Sequence, residues 1–214
     1  MRLHIVLFTF LLWTGAVATA QNDPTAKKLL DQVSKKYDAY HSIQSNFSFS
    51  MQPMQGDSYT DQGTLYLNKP KNQYRIQLNA QELISDGKAI YSILKDDKEV
   101  QVSTAEESST SIGPNNLFTF YKSGFTYASR GTEKVGADLL NVVELSPIDS
   151  KNNYSKIKIR VNKNKHIHDV SIFDKSGARY TYTIKTLYVN HTLPTSQFTF
   201  NKSNYPGFEI VDLR

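Results

Sequence analysis

Two tight corners divide residues 63–91 into three short segments in which apolar and polar residues alternate. Lys69-Pro70 forms the first corner, because proline cannot donate a hydrogen bond to a neighbouring strand. Asp86-Gly87 forms the second, since this dipeptide is typical of two-residue hairpin loops. Successive side chains of a strand point to opposite faces, so the alternation predicts an antiparallel sheet with one apolar wall. That wall is either the core of the fold or a surface for an apolar ligand.

Residues 1–20 have the pattern of a secretory signal peptide. Arg2 precedes an apolar run from Ile5 to Trp13, and Ala18-Thr19-Ala20 is a small-x-small cleavage site. The run is too short to cross a bilayer as a helix. We therefore expect an exported protein with a single domain over residues 21–214.

The chain contains no cysteine, so disulfides cannot stabilise it. Small secreted eukaryotic domains usually have disulfides, whereas a chain of this length can bury enough apolar surface without them. Export without cysteine favours the periplasm of a Gram-negative bacterium. Chance accounts for the N-x-Ser/Thr sequences in a chain rich in these residues; they stand at Asn46, Asn153, Asn190 and Asn201.

The formal net charge of +5 is spread along the chain. Lys156, Lys158 and Arg160 alternate with apolar residues, as on the solvated face of a strand. No dense basic block with interleaved aromatic residues is present, so nucleic acid is not an expected partner. Weak attraction to anionic lipid headgroups stays open.

An amphipathic helix of about four turns is predicted after Asp23-Pro24, where Asp23 is the N-cap and Pro24 the first helical residue. Its apolar positions recur at helical spacing. They are Ala26, Leu29, Leu30, Val33, Tyr37 and Tyr40. This face requires an apolar partner.

From Ser45 onward the pattern changes to the period of strands, and about ten to twelve short strands are expected. Phe198 and Phe200 indicate one of them, and residues 208–213 a last strand or an ordered arm. The fold class is mainly β (α+β), with the antiparallel strands in one barrel or sandwich. Such a sheet has more inward apolar positions than two short helices can cover, and a half-filled barrel with a cavity would resolve the mismatch.

A loop and a short apolar helix interrupt the strands. Residues 104–111 are small or acidic, and residues 115–123 are predicted as a helix that ends at Gly124. The helix carries Leu117, Phe118, Phe120 and Tyr121, on too many sides for a surface helix. It is either a lid or a plug at one end of a barrel.

No catalytic constellation is present in the sequence, so an enzyme is not expected and no cofactor is implied. His166 and His168 would share one face of a strand, but the remaining ligands of a metal site are missing, and Asp169 would point away from them. The adjacent carboxylates of Asp96-Asp97 would diverge on an extended chain. Nucleophile-elbow, P-loop and dinucleotide motifs are absent.

Taken in order, the motifs resemble those of the periplasmic lipoprotein carriers of the LolA type over essentially the whole mature chain. They are the helix Ala26–Tyr40, Phe47-Ser48-Phe49, Gly63-Thr64-Leu65-Tyr66-Leu67 with Lys69-Pro70, Tyr74-Arg75-Ile76, Leu83-Ile84-Ser85-Asp86-Gly87-Lys88, Pro114–Tyr121, and Leu193-Pro194 with Phe198-Thr199-Phe200.

The resemblance implies an incomplete antiparallel β-barrel with an amphipathic helix and a short lid helix over an apolar cavity. It implies a monomeric carrier that takes acylated lipoproteins from an inner-membrane ABC exporter to an acceptor in the outer membrane, or to that membrane itself. Known members have Arg before the proline of the corner, where it holds the lid through backbone carbonyls; this chain has Lys69. The expected cavity residues are Leu29, Leu30, Val33, Tyr37, Leu65, Leu67, Tyr74, Ile76, Leu78, Leu117, Phe118, Phe120 and Tyr121.

Three other functions compete with carriage. A sensor or regulatory module of the same fold would bind lipid or a lipoprotein as a signal. An exported hydrolase would need polar residues that converge on the apolar wall. A passive β-domain would not bind an apolar fluorescent probe.

Overall fold

The computed structural model describes residues 23–105 and 118–214, which form one α-helix and twelve strands of a single sheet. The predicted signal peptide and Leu117 lie outside these residues. The helix, α1, spans Pro24–Asp38. The strands are β1 Ser42–Gln52, β2 Tyr59–Asn68, β3 Gln73–Gln77, β4 Gln81–Ser85, β5 Ala89–Leu94, β6 Glu99–Thr104, β7 Phe125–Val135, β8 Asp138–Pro147, β9 Tyr154–Val161, β10 Ile167–Asp174, β11 Arg179–Val189 and β12 Glu209–Asp212. No helix within the described ranges is long and apolar enough to span a bilayer.

The sheet is open, with β12 at one edge and β7 at the other. Its strand order is β12-β6-β5-β4-β3-β2-β1-β11-β10-β9-β8-β7. Neighbouring strands are antiparallel except β12 and β6, which are parallel. The predicted fold class, a mainly β incomplete barrel with an N-terminal helix, is thereby confirmed.

Asp23 starts α1 and also fixes it to the edge of the sheet. Its Oδ1 accepts hydrogen bonds from the amides of Thr25 (2.7 Å) and Ala26 (3.4 Å), as the N-cap prediction requires. Its own amide donates to the carbonyl of Tyr127 (3.1 Å), and its Oδ2 accepts from the amide of Ser129 (2.9 Å). The start of α1 therefore lies against β7, and we call the face of the sheet that carries α1 the inner face.

A second apolar cluster lies on the outer face, under the C-terminal arm, which we define as residues 190–214. Its buried members are Ile84, Ala89, Ile93, Val100 and Val102, and the partly buried Tyr91, Phe200, Tyr205 and Phe208 pack against them. The predicted strand at Phe198 and Phe200 is wrong, because Thr195–Phe198 is a 3-10 turn. The Phe200 ring instead stacks on Tyr91, with centroids 4.7 Å apart.

Candidate functional site

Strands β2 and β3 form the centre of the predicted apolar wall. The register pairs Leu65 with Ile76 and Leu67 with Tyr74, so these four side chains share the inner face. Leu65 and Leu67 are each 2% exposed, and Tyr74 is 6% exposed. All of them belong to the cluster that also contains the buried side chains of α1.

The apolar stripe of α1 covers part of this wall, as the helical spacing predicts. Ala26, Leu30, Val33 and Tyr37 are buried, and Leu29 is partly buried against the same cluster. The Tyr37 hydroxyl accepts a hydrogen bond from the amide of Ile167 at 3.2 Å. Burial raises the pKa of Tyr37 far above its usual range, so this hydroxyl stays neutral.

Three aromatic rings from residues 118–121 complete the cover. Phe118 stacks on Tyr37 with ring centroids 4.7 Å apart, and the Tyr121 hydroxyl accepts a hydrogen bond from Ser34 Oγ at 3.3 Å. Phe120 packs edge-on against Phe125. Burial raises the pKa of Tyr121 to about 12, so its hydroxyl also stays neutral.

Over the described residues, the helix predicted for 115–123 is wrong. Only Phe120–Lys122 forms a 3-10 turn, and Phe118 is not helical. An α-helix would spread positions 118, 120 and 121 around its circumference. The irregular backbone lets all three rings enter one core, where they are 2–9% exposed.

Burial of the inner face decreases toward one end of the wall. Ile76 and Leu78 are only partly buried, although they were predicted beside the fully buried Leu65 and Leu67. Other partly buried apolar residues extend this region on neighbouring strands: Phe49, Leu83, Ile90, Tyr182 and Ile184. The alternation of Tyr180, Tyr182 and Ile184 was a visible signal that β11 contributes to the wall.

Lys69 joins the Lys-Pro corner to the C-terminal end of α1. Its Nζ donates to the carbonyl of Tyr37 at 2.7 Å and to that of Asp38 at 3.4 Å. The Tyr37 carbonyl also accepts a hydrogen bond from the amide of Tyr40 at 3.2 Å, and a cation stabilises the negative end of the helix where these carbonyls lie. Burial lowers the pKa of Lys69, and the nearby Asp38 carboxylate partly opposes that effect.

The two histidines are held by separate partners rather than by a common ligand. His166 Nε2 lies 2.9 Å from the Tyr40 hydroxyl, and His168 Nδ1 lies 2.5 Å from Asp169 Oδ2. The expectation that Asp169 points away from His168 is wrong, because a register shift between Ile167 and Asp169 breaks the alternation. Within residues 23–105 and 118–214, no group of three or more potential ligands is placed to hold a metal ion.

Comparison with known proteins identifies the fold. The family model described as "Outer membrane lipoprotein carrier protein LolA" matches residues 39–201. The chain belongs to this family. As a LolA family member it has Lys69 where the resemblance leads us to expect Arg, and that lysine still bonds to backbone carbonyls at the end of α1.

Solved structures show the same fold at low sequence identity. An uncharacterized conserved protein from Thermus thermophilus is 8% identical, with 88% of this chain and 99% of that chain covered and a TM-score of 0.57. The Mycobacterium tuberculosis lipoprotein LppX is 13% identical, with 81% and 100% covered and a TM-score of 0.54. No curated protein matches the sequence significantly.

Proposed function

We propose that this LolA family member is a periplasmic carrier that covers the acyl chains of lipoproteins and moves them from the inner to the outer membrane. The observation that supports the proposal is the apolar inner face, whose wall extends from buried Leu65 to the partly buried Ile76 and Leu78. An inner-membrane ABC exporter would load the carrier, and an acceptor in the outer membrane, or that membrane itself, would unload it.

The need for a cover follows from the size of the hydrophobic effect. Each methylene removed from water contributes about 0.8 kcal/mol, so exposing an acyl chain of about sixteen carbons costs on the order of 12 kcal/mol. A lipoprotein with two or three chains therefore cannot cross an aqueous compartment unshielded. A carrier has to bind these chains and still release them.

The packing of α1 and residues 118–121 provides a reason for release. In this structure the rings of Tyr37 and Phe118 stack on each other above the wall. Acyl chains would have to displace such contacts, so the closed cover competes with the cargo. Lys69, at the end of α1, is the proposed latch of the closed state. The competition keeps the affinity low relative to the apolar area that is buried.

Substitution of Ile76 by Glu tests the proposal. We expect Ile76→Glu to abolish co-purification of acylated lipoprotein from the periplasm. Acyl chains bound at the wall would remove the new carboxylate from water, and burial of an unpaired charge costs free energy. Native mass spectrometry of the isolated protein measures the cargo. Ile148→Glu is the matched control, since Ile148 is 68% exposed, and it should leave the loading unchanged.

Two results would contradict this assignment. Normal loading of a folded Ile76→Glu protein would show that the wall does not bind acyl chains. Unfolding of both Ile76→Glu and Leu78→Glu, measured by thermal melting, would show that the wall is an ordinary core.

A further inference from the structure

Four segments of the chain bring lysines to the C-terminal end of α1. The last turn of the helix, the turn at 69–71, the turn at 120–122 and the β9–β10 turn meet there. Three hydrogen bonds, each of 2.7 Å, define the arrangement: Lys36 Nζ to the Asn164 carbonyl, Lys69 Nζ to the Tyr37 carbonyl, and Lys122 Nζ to the Asp38 carboxylate. We call the resulting surface the lysine end; it comprises Lys35, Lys36, Lys69, Lys122, Lys163 and Lys165.

The lysine end carries a net positive charge. Asp38 compensates Lys122, and Asp138 lines a surface pocket of about 400 Å³ together with Lys163. Asp31, one turn earlier in α1, pairs with Lys27 at 2.7 Å. Among residues 23–105 and 118–214, the six lysines therefore exceed the two nearby carboxylates of Asp38 and Asp138.

Stability of the fold explains only part of this charge. Lys69 and Lys122 stabilise the negative end of the helix through Tyr37 and Asp38. Within the part of the chain that the structure describes, Lys35, Lys163 and Lys165 make no side-chain hydrogen bond or ion pair. Lys35 and Lys163 are exposed, and Lys165 is half-buried.

The absence of arginine from this surface favours a diffuse anionic partner. Arginines elsewhere in the described part of the chain have defined side-chain partners, for example Arg160 with Asp169 and Arg130 with Glu144, each at 2.9 Å. An arginine fork suits bidentate recognition, whereas lysine is a mobile point charge on a flexible stem. Mobile point charges suit a surface of many headgroups that do not hold fixed positions.

We propose that the lysine end binds the anionic phospholipid headgroups of a bilayer. Binding would place the C-terminal end of α1, and with it Lys69, against the membrane. The proposal does not depend on the apolar inner face, since it requires only the exposed charges. Each lysine near an anionic surface strengthens binding by about fivefold, an effect that acts only within about 8 Å at physiological ionic strength.

Vesicle binding tests the proposal on the full mature chain. The probes are vesicles of phosphatidylcholine with phosphatidylglycerol, and vesicles of phosphatidylcholine alone, assayed by sedimentation at low and high salt. The variant combines Lys35→Gln, Lys163→Gln and Lys165→Gln, and the control combines Lys151→Gln, Lys185→Gln and Lys202→Gln. The control removes the same charge from exposed positions on other parts of the surface.

The expected result is salt-sensitive binding to the anionic vesicles only. The lysine-end variant should bind on the order of a hundredfold more weakly, and the control variant within about twofold of the unmodified chain.

Equal weakening in both variants would overturn the proposal, because net charge alone would then govern binding. Failure to bind anionic vesicles at low salt would also overturn it and would direct the search to an acidic protein surface. Equal binding to neutral vesicles would overturn it too, because it would show apolar insertion instead.

Discussion

Gly63 lies where the ring of Phe47 crosses strand β2. A Cβ atom at this position would lie 2.7 Å from Phe47 Cζ, 2.7 Å from the Gln77 carbonyl oxygen and 2.9 Å from Leu78 Cδ2. Real Cβ contacts are essentially never that short. Glycine is therefore required here for space, so that an aromatic ring and the end of β3 can both approach the backbone.

We expect Gly63→Ala to lower the free energy of unfolding by about 1–3 kcal/mol, because the added methyl group overpacks the wall. Urea denaturation measures the change. Phe47→Leu in the Gly63→Ala background should restore only part of the loss, since the Gln77 oxygen belongs to the backbone and cannot turn away. Unchanged stability of Gly63→Ala would contradict the close approach.

Lys69→Met should destabilise the protein by about 1 kcal/mol, because the last carbonyls of α1 lose a charged donor. Hydrogen exchange of the α1 amides should accelerate in the same variant. Lys69→Arg retains a donor and should lie near the unmodified protein, while Lys71→Met, at an exposed neighbour, should have no effect. Equal losses in the variants at positions 69 and 71 would exclude the proposed latch.

Single residues could be predicted where their role is local. Asp23 could be predicted as an N-cap because it precedes a helical pattern with proline at its start, whereas the role of Lys69 was implied only by the resemblance to the carrier family. The need for Gly63 could not be predicted, since it depends on a ring from β1 and a carbonyl from β3. Contacts between strands of this kind leave no trace in the spacing of residues.

At the scale of elements, the ends of a strand could be predicted from the sequence where a recognisable turn adjoins it. The predicted corner at Lys69-Pro70 directly follows β2, which ends at Asn68, and the predicted hairpin loop at Asp86-Gly87 comes just before β5, which begins at Ala89. The Asp86 side chain accepts bonds from the amides of Lys88 and Ala89, each at 2.8 Å. The bounds of strand β7 could not be predicted from the sequence. Its second half, from Arg130, is mostly exposed and polar, so apolar and polar residues do not alternate there.

The contact between α1 and the β9–β10 turn should respond to pH. Burial, and to a lesser degree Lys36, lowers the pKa of His166, so the folded state favours the neutral ring. Its stabilising contribution is complete above the unfolded pKa of about 6.5 and is lost as the pH falls through the lower folded value. We expect His166→Gln to reduce the loss of unfolding free energy between about pH 7 and pH 5.

Two controls separate titration of His166 from loss of its hydrogen bond. Tyr40→Phe removes the hydrogen-bond partner at 2.9 Å but keeps the half-buried ring of His166, so the pH dependence should remain. His191→Gln makes the same exchange at an exposed position and controls for general effects of the substitution. An identical profile for His166→Gln and the unmodified chain would contradict the assignment.

At the scale of the whole molecule, the described residues form an apolar core on each face of one sheet. The sequence indicated only the core on the inner face. The inner wall alternates cleanly in β2 and β3, whereas the outer cluster depends on the distant C-terminal arm. The Tyr205 hydroxyl donates to Glu82 Oε2 at 3.1 Å, and Glu82 also pairs with Arg75. Pairings over such separations could not be inferred from local patterns.

Removal of residues 209–214 should make the chain self-associate. Strand β12 pairs with β6 and bonds to it further through the carbonyls of Lys98 and Val102. Without it, β6 becomes an open edge strand, which is a template for pairing with another chain. Light scattering at increasing concentration measures the mass, and removal of Arg214 alone serves as the control. A truncated chain that stays monomeric would contradict this role of β12.

The pairing of β1 with β11 has a consequence for the order of folding. Ile43 lies opposite Val189, so two neighbours at the centre of the sheet come from opposite ends of the chain. Strands β1–β6 can form hairpin by hairpin, but the junction of β1 with β11 joins strands that are far apart in the chain. Closing so long a loop is slow, and until then the edge of β1 that pairs with β11 is open. The unfolded chain is thus most exposed to aggregation before β11 has paired with β1.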